Sequence, residues 1–371
     1  MVTKREWYEI EGIDQIDSPA LVLYRKRIIG NLEKMVRMTG DTSRLMPHVK
    51  THKIKEIVQL HMEMGIRHFK CATIAEAEML GMAGAETVLI AFQSVGPKLH
   101  RIVNLLKKYP AVHYSVIVDH PEVVLELAEL MVVSGIGIGV YIDLNVGMNR
   151  TGIVPGKDAK ELAKLCASLE GIDLQGLHAY DGHNSITDPK ERMNKCLDEF
   201  KPVYELQSYL EDKLGRKLTL IAGGTPTFPI HARNENTICS PGTTVLWDYS
   251  SEERFPDLPF EYAALVIARV ISKIGNDLLC IDLGHKAIAA ENPLPRVKFL
   301  NHPEVIPVSQ SEEHLVARVP DNHGFQVGDV LYGIPKHICP TCALYQEAVV
   351  VDDNQWVDTW KVVARDRFLS V

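Results

Sequence analysis

The sequence has 371 residues, 46% hydrophobic and 24% charged, which is enough to bury the core of one large domain and a smaller one. Its net charge is −8 and it has no run of Lys or Arg, so the basic footprint of a nucleic-acid partner is missing. The N-terminus MVTKREWYEIEGIDQIDSPA lacks the order of a signal peptide, and no apolar stretch approaches the ~20 residues that cross a bilayer; the expectation is a cytoplasmic protein with no membrane or nucleic-acid partner.

In chain order, the first β-rich run is SPALVLY (18–24), which either joins a β domain or feeds the first helix of a barrel. Eight short apolar runs come next: RLMPH (44–48), RHFKC (67–71), TVLIAF (87–92), VHYSVIV (112–118), GVYIDL (139–144), LQGLHAY (174–180), LTLIAG (218–223) and NTICS (236–240). Between them lie stretches such as PEVVLELAELMVV (121–133) and KDAKELAKLCASL (157–169), whose apolar residues recur every three to four positions as on a helix. This alternation predicts an α/β fold with a parallel sheet, closed as a (β/α)8 barrel of the triosephosphate-isomerase type over residues 25–255; an open doubly wound sheet is the alternative. After residue 255 the runs PFEYAALVIARVISKIG, DLLCIDLG, HLVARV, DVLYGI and EAVVVDD are strand-like, with Gly, Pro and Asn turns between them. They predict a second, mostly β domain made of residues 1–24 and 256–371.

Active sites of such barrels are built on the loops at the C-terminal ends of the strands. After the first run stands PHVKTHK, with Lys50 between His48 and His52; after the fifth, Arg150; after the sixth, Tyr180, Asp181 and His183; after the seventh, GGTPT; after the eighth, PGTT. A lysine becomes nucleophilic where desolvation or neighbouring positive charge lowers its pKa, and a barrel mouth offers both. The glycines of GGTPT leave backbone N–H groups open while Thr225 and Thr227 add hydroxyls, as in a phosphate cradle. A lysine and a phosphate site in one mouth point to a phosphorylated aldehyde cofactor, pyridoxal phosphate. The β domain carries HICPTC, in which His337 and Cys339 have the spacing of metal ligands; two are too few for a structural zinc site, which leaves an open catalytic metal or a plain structural pair. The seven cysteines, an odd and scattered set, read as reduced thiols.

PHVKTHK, CATIAEAE (71–78), RTG (150–152), AYDGH (179–183), GGTPT, PGT (241–243) and the final H-x-C-P-T resemble, in order and from about residue 18 to 345, the D-threonine aldolase and D-serine dehydratase family of pyridoxal-phosphate enzymes. The resemblance implies an alanine racemase-like fold and a homodimer. It implies Lys50 as the Schiff-base lysine, with Gly223, Gly224, Thr225, Gly242 and Thr243 on the phosphate and Arg150 and Tyr180 on the pyridine ring or its hydroxyl. It also implies that His337 and Cys339 hold a divalent metal (Zn, Mn or Mg) beside the 3-hydroxyl of a small D-amino acid. Aldolases of the family often carry Asp in place of Cys339, whereas the His and Cys pair is similar to the zinc site of the dehydratases. The expected reaction is cleavage of a D-3-hydroxy amino acid to glycine and an aldehyde, with the base left open between the metal site, His52 and His183. Dehydration to ammonia and an oxo acid, racemisation and non-catalytic carriage of pyridoxal phosphate are the alternatives.

Overall fold

A computed structural model of the protein describes residues 5–321 and 324–371. They fall into two compact units: one takes the residues up to Lys34, Thr51–Glu56 and Thr243–Arg365, the other Met35–Lys50, Ile57–Gly242 and Asp366–Val371. The chain enters through β1 (Ala20–Tyr24), which runs directly into α1 (Arg25–Thr39).

The second unit alternates helices and strands: α2 (Lys55–Glu63), β2 (His68–Cys71), α3 (Ile74–Ala83), β3 (Thr87–Ile90), α4 (Pro97–Lys108), β4 (His113–Val118), α5 (Pro121–Ser134), β5 (Ile138–Leu144), α6 (Lys157–Ser168), β6 (Ile172–Ala179), α7 (Pro189–Leu214), β7 (Thr219–Ala222), α8 (Phe228–His231) and β8 (Thr237–Cys239). β2 to β8 form one parallel sheet in sequence order. All seven residues of β5 are buried, as expected where both faces of a parallel sheet are covered. Met46, Leu89, Ile117, Tyr141 and Ile221 pack together as one core cluster of this sheet. Helix ends follow local chemistry: the Thr73 hydroxyl accepts from Glu76 N at 3.1 Å at the start of α3, and Gly84, at φ 80°, takes the left-handed turn that ends it.

The predicted run 44–48 is not a strand. Pro47 has no N–H to give a ladder, so pairing shrinks to bridges of Leu45 with Cys239 and of His48 with Lys70. Those two bridges, with Met46 N and His48 N donating to Cys239 O and Pro241 O and Lys70 N to Pro47 O, link 45–48 to both outer strands of the sheet, β8 and β2, so the run occupies the eighth place of a triosephosphate-isomerase-like barrel.

The first unit is mostly β. After α9 (Tyr249–Arg254) come β9 (Ala264–Ile274), β10 (Leu278–Ile281), β11 (Val297–Phe299), β12 (Ile306–Gln310), β13 (Leu315–Arg318), β14 (Val330–Pro335), α10 (Ile338–Leu344), β15 (Glu347–Asp352) and β16 (Gln355–Lys361). The order is β12-β13-β10-β9-β1-β15-β16, with β11 paired to β14 and β14 to β9. β1 therefore joins the β unit, antiparallel to β9 and parallel to β15. The eleven-residue β9 pairs with β1 through its first half and with β10 through its second, so its alternating Val266, Ala268 and Val270 pack into one core while Leu265 and Ile267 pack into another. No described helix is long and apolar enough to cross a membrane.

Candidate active site

A cavity of about 490 Å³ opens in the barrel unit, in the size range of small-molecule sites. Lys50, Lys70, Arg150, His48, His178, Asp143 and Tyr180 give it its polar groups, and Phe92, Ile117, Leu144 and Met148 its apolar wall. Three cations surround the Tyr180 ring: Lys50 Nζ stands 5.8 Å from its centroid, Lys70 Nζ 5.6 Å and the Arg150 guanidinium carbon 5.4 Å. The strand ends explain the convergence, since Lys50 comes after the 45–48 run, Arg150 after β5 and Tyr180 after β6.

Lys70 is 2% exposed, on the penultimate residue of β2. Its ammonium donates to Ser240 Oγ at 2.5 Å and lies 3.4 Å from His178 Nε2. His178 Nδ1 meets Asp143 Oδ1 at 2.7 Å, and Thr151 donates to the other carboxylate oxygen at 2.9 Å. Burial, reinforced by the positive charges of Lys50 and Arg150, pulls Lys70 down to about 7 against the opposite pull of Asp143 and Asp181. Burial likewise lowers the His178 imidazole, against its bond to Asp143. Attention to the loops beyond the strand ends misses Lys70, Asp143, His178 and Ser240. The available signal is a charged or polar residue beside apolar neighbours inside three strand runs and at the end of a fourth.

The loop after β7 is held from beneath. Buried Asp181 accepts from Thr227 Oγ1 at 2.7 Å, His231 Nε2 at 2.8 Å and Gly224 N at 3.4 Å, and Cys196 Sγ approaches it at 3.6 Å. Burial would raise this carboxyl, but His231 and Thr227 hold it below the usual range. Among the described residues Asp181, Cys196 and His231 form the one cluster of three or more potential metal donors. All three are buried and spend their polar atoms on one another. Gly223 sits at φ 78°, in the region that favours glycine, and a Cβ on Gly224 would stand 2.9 Å from the Tyr180 ring. Gly242 N reaches Thr225 Oγ1 at 3.4 Å, so Gly223, Gly224, Thr225 and Gly242 come together; Thr243 falls in the other unit, 3.7 Å from Cys339 Sγ.

The two candidate bases are placed differently. His183 sets Nε2 3.0 Å from Glu199 and has a buried Nδ1 with no hydrogen-bond partner. His52 belongs to the β unit, is 1% exposed, and its Nδ1 already accepts from Ile54 N at 3.1 Å. Neither lines the cavity.

In the β unit, HICPTC forms the short helix α10, which β-type patterning does not predict. His337 is its N-cap residue and Cys339 lies in its first turn, both half-buried. The Ile338 N–H donates to Asp248 Oδ2 at 3.0 Å, which fixes the turn. His337 Nδ1 lies 2.5 Å from Glu291 Oε1, and the imidazole also hydrogen-bonds the Cys339 thiol. Burial works against charge at both residues, yet their mutual bond wins: the imidazole rises to about 9 and the thiol falls below its ordinary value. A thiol and an imidazole side by side, with a carboxylate on the imidazole Nδ1, form a donor set that suits a divalent metal of the zinc type. The other six cysteines are buried free thiols.

Residues 24–249 match the family model of the alanine racemase N-terminal domain, and residues 263–351 that of a putative serine dehydratase domain. The chain is 29% identical to a D-threonine aldolase of an Arthrobacter species, over 96% of this chain and 94% of the relative. It is 25% identical to a 3-hydroxy-D-aspartate aldolase of Paracoccus denitrificans, over 96% and 95%. The crystal structure of a D-threonine aldolase from Filomicrobium marinum superposes with a TM-score of 0.89 at 28% identity, covering 96% of this chain and 98% of that one. A D-threo-3-hydroxyaspartate dehydratase from Delftia sp. HT23, with a TM-score of 0.81 at 20% identity and coverage of 94% and 97%, shares the fold.

Proposed function

Because the chain belongs to the alanine racemase N-terminal-domain family, with a putative serine dehydratase domain behind it, we propose that it is a pyridoxal-phosphate-dependent lyase that cleaves D-3-hydroxy amino acids to glycine and an aldehyde. The observation that carries this reading is the convergence of Lys50 and Arg150 on the Tyr180 ring in one barrel cavity. An amine, a guanidinium and a phenol in a mouth with surplus positive charge fit a flat, anionic aldehyde. The Tyr180 ring also packs against Gly224 of the glycine loop, where a side chain has no room.

When bound, pyridoxal phosphate supplies an aldehyde for amine capture and a ring that takes up the electron pair of the broken bond. Lys50 is the amine that holds it and yields to the substrate. Arg150 and Tyr180 would fix its plane, and Gly223, Gly224, Thr225 and Gly242 would offer N–H and hydroxyl groups to the phosphate. His337 and Cys339 would hold a divalent metal, which would supply a Lewis acid. The base stays open between the metal site, His52 and His183, since neither histidine lines the cavity.

The sulfur ligand at Cys339 favours a second reading, dehydration to ammonia and an oxo acid, since soft ligands select zinc. Incubation with D-threonine and with D-serine separates the two. Acetaldehyde and glycine, lost with a chelator and restored by divalent metal, are expected; pyruvate from D-serine with no acetaldehyde would replace the aldolase by the dehydratase, and no product from either would sink both.

A further inference from the structure

Cleavage of a 3-hydroxy amino acid leaves an electron pair that must end as a C–H bond on the glycine α carbon. Lys50 is free once the substrate has taken its place on the aldehyde, and Lys70 stands in the same cavity as a second amine that can deliver this proton. Resting on that reading, we propose that Lys70 is a second acid–base residue of the cavity, protonating the α carbon and being recharged along the Asp143–His178 line. An N–H bond of the Lys70 ammonium breaks, its proton joins the electron pair left by C–C cleavage, and Lys70 remains as a neutral amine. The proton that the substrate hydroxyl gave up balances the one delivered, so the turnover neither consumes nor releases acid.

The geometry supports this assignment. Lys70 lines the cavity yet is 2% exposed, and its nitrogen is held by Ser240 and faces His178, which Asp143 orients. Water is thus kept from a step that would otherwise take protons from solvent. The groups facing it are Lys50 and His48 from the 45–50 segment, Asp143 and Arg150 from β5 and its loop, His178, Tyr180 and Asp181 from β6 and its loop, and Ser240 after β8. An amine that burial and these cations pull to about 7 can both give and regain a proton at neutral pH, which an ordinary lysine near ~10.4 does poorly. A lysine serving only as a packing prop would need neither the cavity nor the relay.

Two readouts test the role. First, NMR of protein labelled with 13Cε-lysine, with the Lys70 signal assigned by its loss in Lys70→Arg, should titrate near 7 and move lower in Asp143→Asn, because Asp143 stabilises the ammonium. Second, exchange of the glycine α proton in D2O by the reconstituted protein should fall about 100-fold or more in Lys70→Met while the cofactor's visible band persists. In Asp143→Asn the pH limb of that exchange should move with the NMR midpoint. A midpoint near the ordinary ~10.4 of lysine, wild-type exchange in Lys70→Met, or a limb that ignores the midpoint overturns the role of Lys70 alone. A wild type without any cofactor band overturns the underlying reading and this role with it.

Discussion

Lys70 in the barrel unit, buried, and His337 in the β unit, half-buried, are both nitrogen bases, and they move in opposite directions. Lys70 has cations for neighbours and falls to about 7, whereas His337 has Cys339 and Glu291 and rises to about 9. Burial alone disfavours charge in both. What decides is the partner: where none of opposite sign is in direct contact the base gives up its proton readily, and where a thiol and a carboxylate are at hand the charge is kept. One site is thereby suited to moving protons and the other to holding a cation.

Removing the partner is the sharpest way to break this contrast. Cys339→Ala or His337→Ala should lose stoichiometric zinc, read by metal analysis after gel filtration, and cleavage activity should fall by more than about 100-fold with the cofactor band unchanged. Unchanged metal content would make the pair merely structural.

A base that burial keeps neutral should cost stability in acid, and His61 is such a case. It is 1% exposed, packs edge-on against Phe69, and burial takes it to about 4 although Ile57 O accepts from it at 2.8 Å. The folded state refuses a proton that the unfolded chain accepts, so this contribution is lost as pH falls from about 6.5 to about 4. At about 1.4 kcal/mol per pH unit, wild type should lose about 2–3 kcal/mol more than His61→Leu between about pH 7 and about pH 4 in urea titrations. Parallel losses in the two proteins would contradict the account.

The smallest effect concerns Asp181, a buried acid kept charged by His231 and Thr227 as His337 is by its partners. Asp181→Asn should loosen the glycine loop and weaken pyridoxal phosphate binding about tenfold, leaving phosphate-free pyridoxal unaffected. Equal weakening of both ligands would mean that the cluster does not serve the phosphate.

Much of this was legible in the sequence because parallel sheets and their loops obey local rules. The β2 to β8 runs and the β domain after residue 255 follow from period and turn chemistry, and Lys50, Arg150 and Tyr180 from asking which residues stand just beyond each strand, whereas the place of 18–24 stays open until its pairing with β9 and β15 is seen. The 44–48 run is bridge-paired rather than a full strand, because its apolar content does not show that Pro47 lacks the N–H one more pair would need. Lys70, Asp143 and His178 do not stand out in the sequence because they sit within strands, where a polar residue has no positional mark that separates a cavity group from a solvated one. Helix α10 escaped because its start is set by Asp248 accepting from Ile338, a contact between residues 90 positions apart in the chain.

The most direct test of the central claim is borohydride reduction of the protein reconstituted with pyridoxal phosphate, followed by peptide mass mapping. The account predicts one pyridoxyl phosphate group per chain, fixed on Lys50. Labelling of Lys70 or any other lysine in its place, or no labelling at all, would contradict it.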